Sequence, residues 1–68
     1  MSEAGDANRA GFEVGSLVRL REKVAGVRAG TIGRVLGWYA NTGEHSVLLQ
    51  SGMPVRVDPD LLEQADRP

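Results

Sequence analysis

Apolar and polar residues alternate along much of this chain with the two-residue period of β-strands. Residues 16–22, Ser-Leu-Val-Arg-Leu-Arg-Glu, place two apolar side chains on one face and Arg19 and Arg21 on the other. Residues 29–39, Ala-Gly-Thr-Ile-Gly-Arg-Val-Leu-Gly-Trp-Tyr, are β-formers interrupted by three glycines, as in strongly bent strands. The pattern predicts a first strand followed by a long, kinked second strand.

The second strand is expected to contain a β-bulge. Ile32 and Val35 lie an odd number of residues apart, so strict alternation would point them to opposite faces. A one-residue bulge at Gly33 would return both side chains to the core, whereas Gly37 is expected to bend the strand or to admit another backbone. The preceding loop, residues 23–30, has a length that suits either recognition or plain connection.

Two further strands form a predicted hairpin, and the length of its loop decides which side chains are buried. The strands are residues 45–50 and 53–57. A two-residue loop would pair Leu48 with Val55 and turn Arg56 toward the core face. A three-residue loop, residues 51–53, would pair Leu49 with Val55 and turn Arg56 outward. We prefer the three-residue loop because it gathers four apolar residues on one face.

The chain after the hairpin predicts a short 3₁₀ turn and a last strand. Asp58 is a suitable cap and Pro59 suits the first helical position. The whole pattern predicts an all-β fold, a five-stranded SH3-like barrel over residues 12–64. A disordered N-terminal tail, residues 1–11, and a C-terminal tail, residues 65–68, are expected to flank it. The predicted core consists of Val18, Leu20, Ile32, Val35, Val47, Leu49, Val55, Val57, Leu61 and Leu62.

Length and composition limit the chain to one small domain with a marginal core. Its 68 residues contain no cysteine, which excludes disulfides and thiolate metal sites and fits a reducing compartment. No apolar run approaches the roughly 20 residues of a membrane span, and the N-terminus lacks the order of a signal peptide. We therefore expect a soluble, cytoplasmic protein that gains stability from self-association or a partner.

Positive charges lie mainly in the first half of the chain. Residues 15–36 carry five Lys or Arg and one Glu, a balance of +4, whereas residues 37–64 carry four Asp or Glu and one Arg, a balance of −3. A basic flank containing Arg19, Arg21 and Arg34 is a candidate for RNA binding, with Trp38 or Tyr39 stacking on bases. The net charge of −1 argues against a nucleic-acid partner, since it allows only weak backbone binding. Both halves otherwise form ordinary solvated faces.

No motif in the sequence demands catalysis or a metal. His45 is the only histidine, has no Ser or Cys partner at a motif spacing, and is predicted to lie at the surface. Asp58 and Asp60 flank Pro59, where capping explains them better than acid–base chemistry. Ala-Gly-Thr-Ile-Gly lacks the Lys-Ser/Thr of a phosphate loop. We therefore predict no catalytic residue, no metal and no cofactor.

Several apolar residues have no place in the predicted core. They are Leu17, Leu36, Trp38, Tyr39 and Leu48. Trp and Tyr beside Leu on adjoining strands would form one contact patch, unless Trp38 plugs an end of the barrel. We predict a non-enzymatic module that binds a protein partner, or copies of itself, through this surface. The predicted binding residues are Leu36, Trp38, Tyr39, Arg56, Asp58, Arg19, Arg21 and Arg34.

Two family resemblances accompany this interpretation. Gly15-Ser-Leu-Val-Arg19 and Gly30-Thr-Ile-Gly-Arg-Val35 resemble the KOW-type and related small SH3-like bacterial domains, which bind RNA, ribosomal partners or other proteins. Gly33-Arg-Val-Leu-Gly-Trp-Tyr39, together with Val55-Arg-Val-Asp-Pro59, is similar to the plasmid-borne type II dihydrofolate reductases. Those enzymes are SH3-like barrels that assemble as tetramers around one pore.

The second resemblance implies an enzymatic alternative, a tetrameric oxidoreductase that binds NADPH and a pterin in a pore lined by Arg56, Val57 and Asp58. The family's pore Gln corresponds to Arg56, its Tyr to Asp58, and its ligand-binding Lys to Leu20. Four copies of Arg56 in one pore would repel each other unless an anion or the four Asp58 carboxylates neutralised them. The resemblance therefore supports the fold and self-association better than folate reduction.

Overall fold

The computed structural model of the chain describes residues 11–65, and these form a single antiparallel sheet. The elements are β1 (Leu17–Leu20), β2 (Ile32–Trp38), β3 (His45–Leu49), β4 (Pro54–Val57), a 3₁₀ turn (Pro59–Leu61) and β5 (Leu62–Gln64). The strand order is β4-β3-β2-β1-β5. The all-β prediction is confirmed. Among residues 11–65 no ladder joins the edge strands β4 and β5, so hydrogen bonding leaves the sheet open.

One face of the sheet carries the core. Eight buried residues form one cluster, and all eight are members of the predicted core. They are Val18, Leu20, Val35, Val47, Leu49, Val55, Val57 and Leu62. Leu61 is partly buried and packs against this cluster, as do Phe12, Val24 and Val27. Ile32, which we also predicted to be in the core, is only half-buried.

The predicted bulge at Gly33 is wrong. The observed bulge lies further along β2, which explains why Ile32 is only half-buried. The β2–β3 register is regular at Gly33, which pairs with Leu49, and it shifts between Val35 and Gly37. Gly33 and Val35 therefore share the core face by simple alternation, and Ile32 falls on the other face. A glycine occupies the inner position that we had assigned to Ile32.

The β3–β4 hairpin has a different register from the one we preferred. Val47 pairs with Val55 and His45 with Val57, and the N–H of Leu49 donates to the carbonyl of Met53 at 2.9 Å. The loop therefore consists of three residues, 50–52, and not residues 51–53. The observed pairing differs from the predicted one by two residues. Because side chains along a strand alternate between the two faces, this difference leaves every side chain on its predicted face.

The loop between β1 and β2 contains a two-residue hairpin turn. Val24 and Val27 exchange backbone hydrogen bonds of 3.0 and 2.8 Å. The two residues between them, Ala25 and Gly26, have φ values of 51° and 81°. Two successive positive values are typical of a type I′ turn, which matches the twist of the flanking strands. This turn directs the two valines onto the core.

The ends of the described chain are joined to the sheet. Phe12, predicted to begin the domain, packs against the core. Ala65, which we assigned to the C-terminal tail, is buried, and its N–H donates to the carbonyl of Leu17 at 2.9 Å. The rest of both predicted tails, residues 1–10 and 66–68, lies outside the described residues.

Candidate functional site

The outer face of the sheet, opposite the core, carries exposed apolar side chains on the adjacent inner strands β2 and β3. Leu36 of β2 is 47% exposed, and Leu48 of β3 is 37% exposed. Leu48 alternates with the buried Val47 and Leu49, so it points away from the core. Pro54 of β4 lies directly opposite Leu48 and is also exposed. Leu36 lies diagonally across from Leu48 on β2, and we call Leu36, Leu48 and Pro54 the apolar strip.

Arg34 lies opposite Leu48 on β2, and its guanidinium is tied to the neighbouring strand. Nη1 of Arg34 donates to the carbonyl oxygen of Gly15, just before β1, at 2.7 Å. The predicted binding residue Arg34 therefore borders the apolar strip on the β1 side.

Arg56 and Tyr39 form a fixed cation–aromatic pair beside the strip. The guanidinium carbon of Arg56 lies 4.1 Å from the centre of the Tyr39 ring, and Nε donates to Oε1 of Glu44 at 2.8 Å. An exposed cation–π contact contributes about 0.5–1 kcal/mol, enough to favour one orientation of the guanidinium. Tyr39 remains 40% exposed. We call Leu36, Leu48, Pro54, Tyr39 and Arg56 the outer apolar face.

Trp38 lies on the other side of the sheet from Tyr39. It pairs with His45, which in turn pairs with the buried Val57, so the three residues form one row on the core side. The indole is tilted by 34° over the imidazole at a centroid distance of 5.6 Å and is 54% exposed. The structure thus separates the two aromatic residues that we expected in one patch.

His45 is buried, which makes its predicted surface location wrong. It is 3% exposed, its Nδ1 lies 3.1 Å from the carbonyl oxygen of Gly43, and its Nε2 accepts the N–H of Phe12 at 2.9 Å. The Phe12 ring meets the imidazole edge-on at 6.1 Å. The alternation of His45 with Val47 and Leu49 was the signal in the sequence that would have placed it on the core face.

The remaining predicted binding residues have local partners. Nη1 of Arg19 on β1 lies 2.8 Å from Oε2 of Glu63 on β5, so a positive and a negative charge from the two halves of the chain meet. Nη1 of Arg21 donates a long bond of 3.4 Å to the Asp60 carbonyl. Asp58 caps the 3₁₀ turn by accepting the N–H of Asp60 at 2.9 Å. The two charged halves are therefore interleaved at the β1–β5 pairing.

The residues that the reductase resemblance assigns to a pore point in different directions. Arg56 lies on the outer face against Tyr39, Val57 is 1% exposed within the core, and Asp58 caps the 3₁₀ turn. In one copy of the chain, these three side chains do not line a common surface.

Neither a cluster of metal-binding side chains nor a membrane-spanning helix is present in the part of the chain that the structure describes. Residues 11–65 bring together no group of three or more His, Cys, Asp or Glu side chains able to hold a metal ion. The same residues include no helix with the length and apolar character needed to cross a bilayer.

Comparison with known proteins gives no relative for this chain: no family model, no curated protein and no solved structure matches it.

Proposed function

We propose that this chain is a non-enzymatic SH3-like barrel that associates with a second copy of itself through the outer apolar face. The observation that carries the proposal is the exposure of Leu36 and Leu48 on β2 and β3, two adjacent inner strands of the sheet. Exposed apolar groups are ordinary when scattered, but exposed apolar groups that neighbour each other on adjacent strands are typical of a protein contact.

The SH3-like assignment is supported by connectivity. The sheet order places β5 beside β1, and a 3₁₀ turn joins β4 to β5. The 3₁₀ turn before the last strand is the feature that the sequence pattern predicted for such a barrel. The proposal adds to the observed sheet a curvature that brings its two edge strands toward each other around the core.

Self-association is favoured over a foreign partner by the charges that border the strip. Arg56 and Glu44 lie side by side at its edge, so this edge carries both signs. A two-fold axis places the same patch of each copy against the other, so the arginine of one copy faces a surface that also offers a carboxylate. Tyr and Arg are also the residue types enriched where contacts contribute most to binding.

The small core makes a single copy of the chain marginally stable, which favours association. The buried cluster has eight residues, all of them Val or Leu. Domains of this size bury only about 60% of their unfolded surface, so covering the exposed leucines of a second copy adds stability that one copy lacks.

The test is the mass of the protein in solution, measured by sedimentation equilibrium for wild type and for Leu48→Lys. We expect wild type to associate as its concentration rises toward about 1 mM, the range of weak complexes, and Leu48→Lys to stay a monomer. Met53→Lys is the matched control, because Met53 is exposed at the hairpin turn and outside the outer apolar face. Circular dichroism verifies that all three proteins keep their β-structure.

Two results would overturn the proposal. The first is a wild-type protein that remains a monomer throughout the concentration series. The second is an equal loss of association in the Leu48 and Met53 variants, which would assign the contact to general surface hydrophobicity.

A further inference from the structure

His45 is enclosed by the segment that leads into β1, residues 11–14, which we call the arm. A Cβ atom on Gly11 would lie 3.0 Å from Nε2 and 3.1 Å from Cε1 of His45, so the arm's backbone rests against the edge of the imidazole. Phe12 meets the ring edge-on, and Trp38 lies over its face. The imidazole therefore connects the arm to the indole.

The hydrogen bonds of His45 determine which of its two ring nitrogens carries the proton. A carbonyl oxygen only accepts, so the contact of Nδ1 with the Gly43 carbonyl places the proton on Nδ1. Nε2 is then the lone-pair nitrogen that accepts the N–H of Phe12. This pair of bonds requires the neutral imidazole.

A second proton on the ring is incompatible with this arrangement. It would place an N–H on Nε2 opposite the N–H of Phe12, two donors at a separation of 2.9 Å. The positive charge would also lie in a site where the side chain is almost fully buried and where, among the described residues, no carboxylate pairs with it.

The charged groups near His45 on the surrounding elements are already engaged or exposed. Glu44 precedes it on the outer side, where its carboxylate accepts from Arg56. Asp58 follows the neighbouring β4 residue, and its carboxylate caps the 3₁₀ turn. Glu13 of the arm is exposed. Among the described residues, the ion pairs involve Arg19 and Arg56 and leave the imidazole without a carboxylate.

We propose that His45 is a proton-sensitive latch: protonation releases the arm and alters the packing of Trp38 while the sheet stays folded. Imidazole is the side chain that changes charge in the mildly acidic range. Release is limited by the turn at the end of the arm, because the Gly15 N–H donates to the Val35 carbonyl at 2.7 Å and the Ser16 N–H donates to the Glu13 carbonyl at 3.0 Å. The latch lies on the opposite side of the sheet from the outer apolar face and does not depend on self-association.

Trp38 is the only tryptophan in the chain, so its fluorescence reports directly on the latch. We expect its emission to change when the solution is acidified, with little change in the circular dichroism of the sheet. Over the same change of pH, amide exchange of Phe12, corrected for its intrinsic pH dependence, should become about tenfold faster. The ¹⁵N shifts of His45 should move from the Nδ1–H tautomer to the imidazolium.

His45→Gln is the matched control, because its amide oxygen can accept the Phe12 N–H but takes up no proton in this range. Its Trp38 emission should be independent of pH. Gly11→Ala provides a second, independent test: its new methyl group requires the arm or the imidazole to shift by a few tenths of an ångström and should move the emission at neutral pH part of the way toward the acid form.

Three outcomes would overturn the latch. One is a wild-type imidazole that stays neutral, with an unchanged Phe12 amide, down to about pH 5. Another is the same emission change in wild type and in His45→Gln. The last is a loss of β-structure that coincides with the emission change, since it would make the transition global unfolding and not release of the arm.

Discussion

Substitution of Gly33 by alanine tests how closely β2 and β3 approach each other. The new Cβ atom would lie 2.5 Å from Cγ1 of Val47 and 2.8 Å from the carbonyl oxygen of Leu48. Val47 is almost completely buried, so its side chain has little room to turn away. The Leu48 carbonyl belongs to the backbone of β3, which pairs with β2 on one side and β4 on the other. The added methyl group therefore has to displace the strand itself.

The expected loss of stability follows from two opposing effects. Overfilling a packed core costs about 1–3 kcal/mol. Replacing a glycine by alanine restricts the unfolded chain and returns about 0.4–1 kcal/mol. Steric overlap outweighs this gain, so we expect Gly33→Ala to lower the free energy of unfolding by about 1–2 kcal/mol. In a domain of this size, each kcal/mol lowers the melting temperature by about 4–8 °C.

Gly37→Ala is the control on the same strand. A Cβ atom on Gly37 would meet no heavy atom within 4 Å, and its φ lies outside the left-handed region. We expect this variant to match the wild type or to exceed it by up to about 1 kcal/mol. Urea unfolding followed by the fluorescence of Trp38 measures both variants. Equal stability of the two alanine variants would refute the close approach at Gly33.

Three other substitutions test local features of the fold. Ala25→Asn should raise the free energy of unfolding by about 0.5–1 kcal/mol, and the melting temperature by a few degrees, because asparagine adopts the positive φ of 51° more readily than alanine does. A lower melting temperature would contradict the turn assignment. Asp58→Ala removes the cap of the 3₁₀ turn and should lower the free energy of unfolding, measured in urea, by about 0.5–2 kcal/mol. Asp60→Ala should lower it by less, and equal losses in the two variants would count against capping. A double-mutant cycle of Arg19→Ala and Glu63→Ala should give a coupling free energy below about 1 kcal/mol, because both side chains are partly exposed. A larger coupling free energy would contradict this and would show that the pair is buried.

Alternation along the strands was enough to predict most of the core, but it could not locate the bulge. The apolar pattern alone favours a bulge at Gly33, because that position would bury both Ile32 and Val35. In the structure Gly33 itself occupies the inner position, with Val47 filling the space that a side chain would take. A glycine carries no hydropathy signal, so the pattern does not distinguish a bulge from a close approach of two strands.

The hairpin shows a similar limit. The predicted pairing of Leu49 with Val55 and the observed pairing of Val47 with Val55 bury the same residues and expose the same Arg56. Burial therefore gives no preference between them. The choice depends on the loop, where Gly52 adopts a φ of 93° and donates its N–H to the Leu49 carbonyl. A glycine at the last position of a three-residue loop is typical of this geometry, so Gly52 was the signal that favours the loop at residues 50–52.

The bulge between Val35 and Gly37 also decides the candidate site. It places an extra residue opposite Ser46, so the side-chain alternation of β2 reverses beyond it. An unbulged strand would put Trp38 on the outer face with Leu36 and send Tyr39 toward the core side. With the bulge, Trp38 covers the buried His45, and Tyr39 reaches the outer face, where Arg56 lies over its ring. One inserted residue thus separates the proposed association surface from the proposed latch.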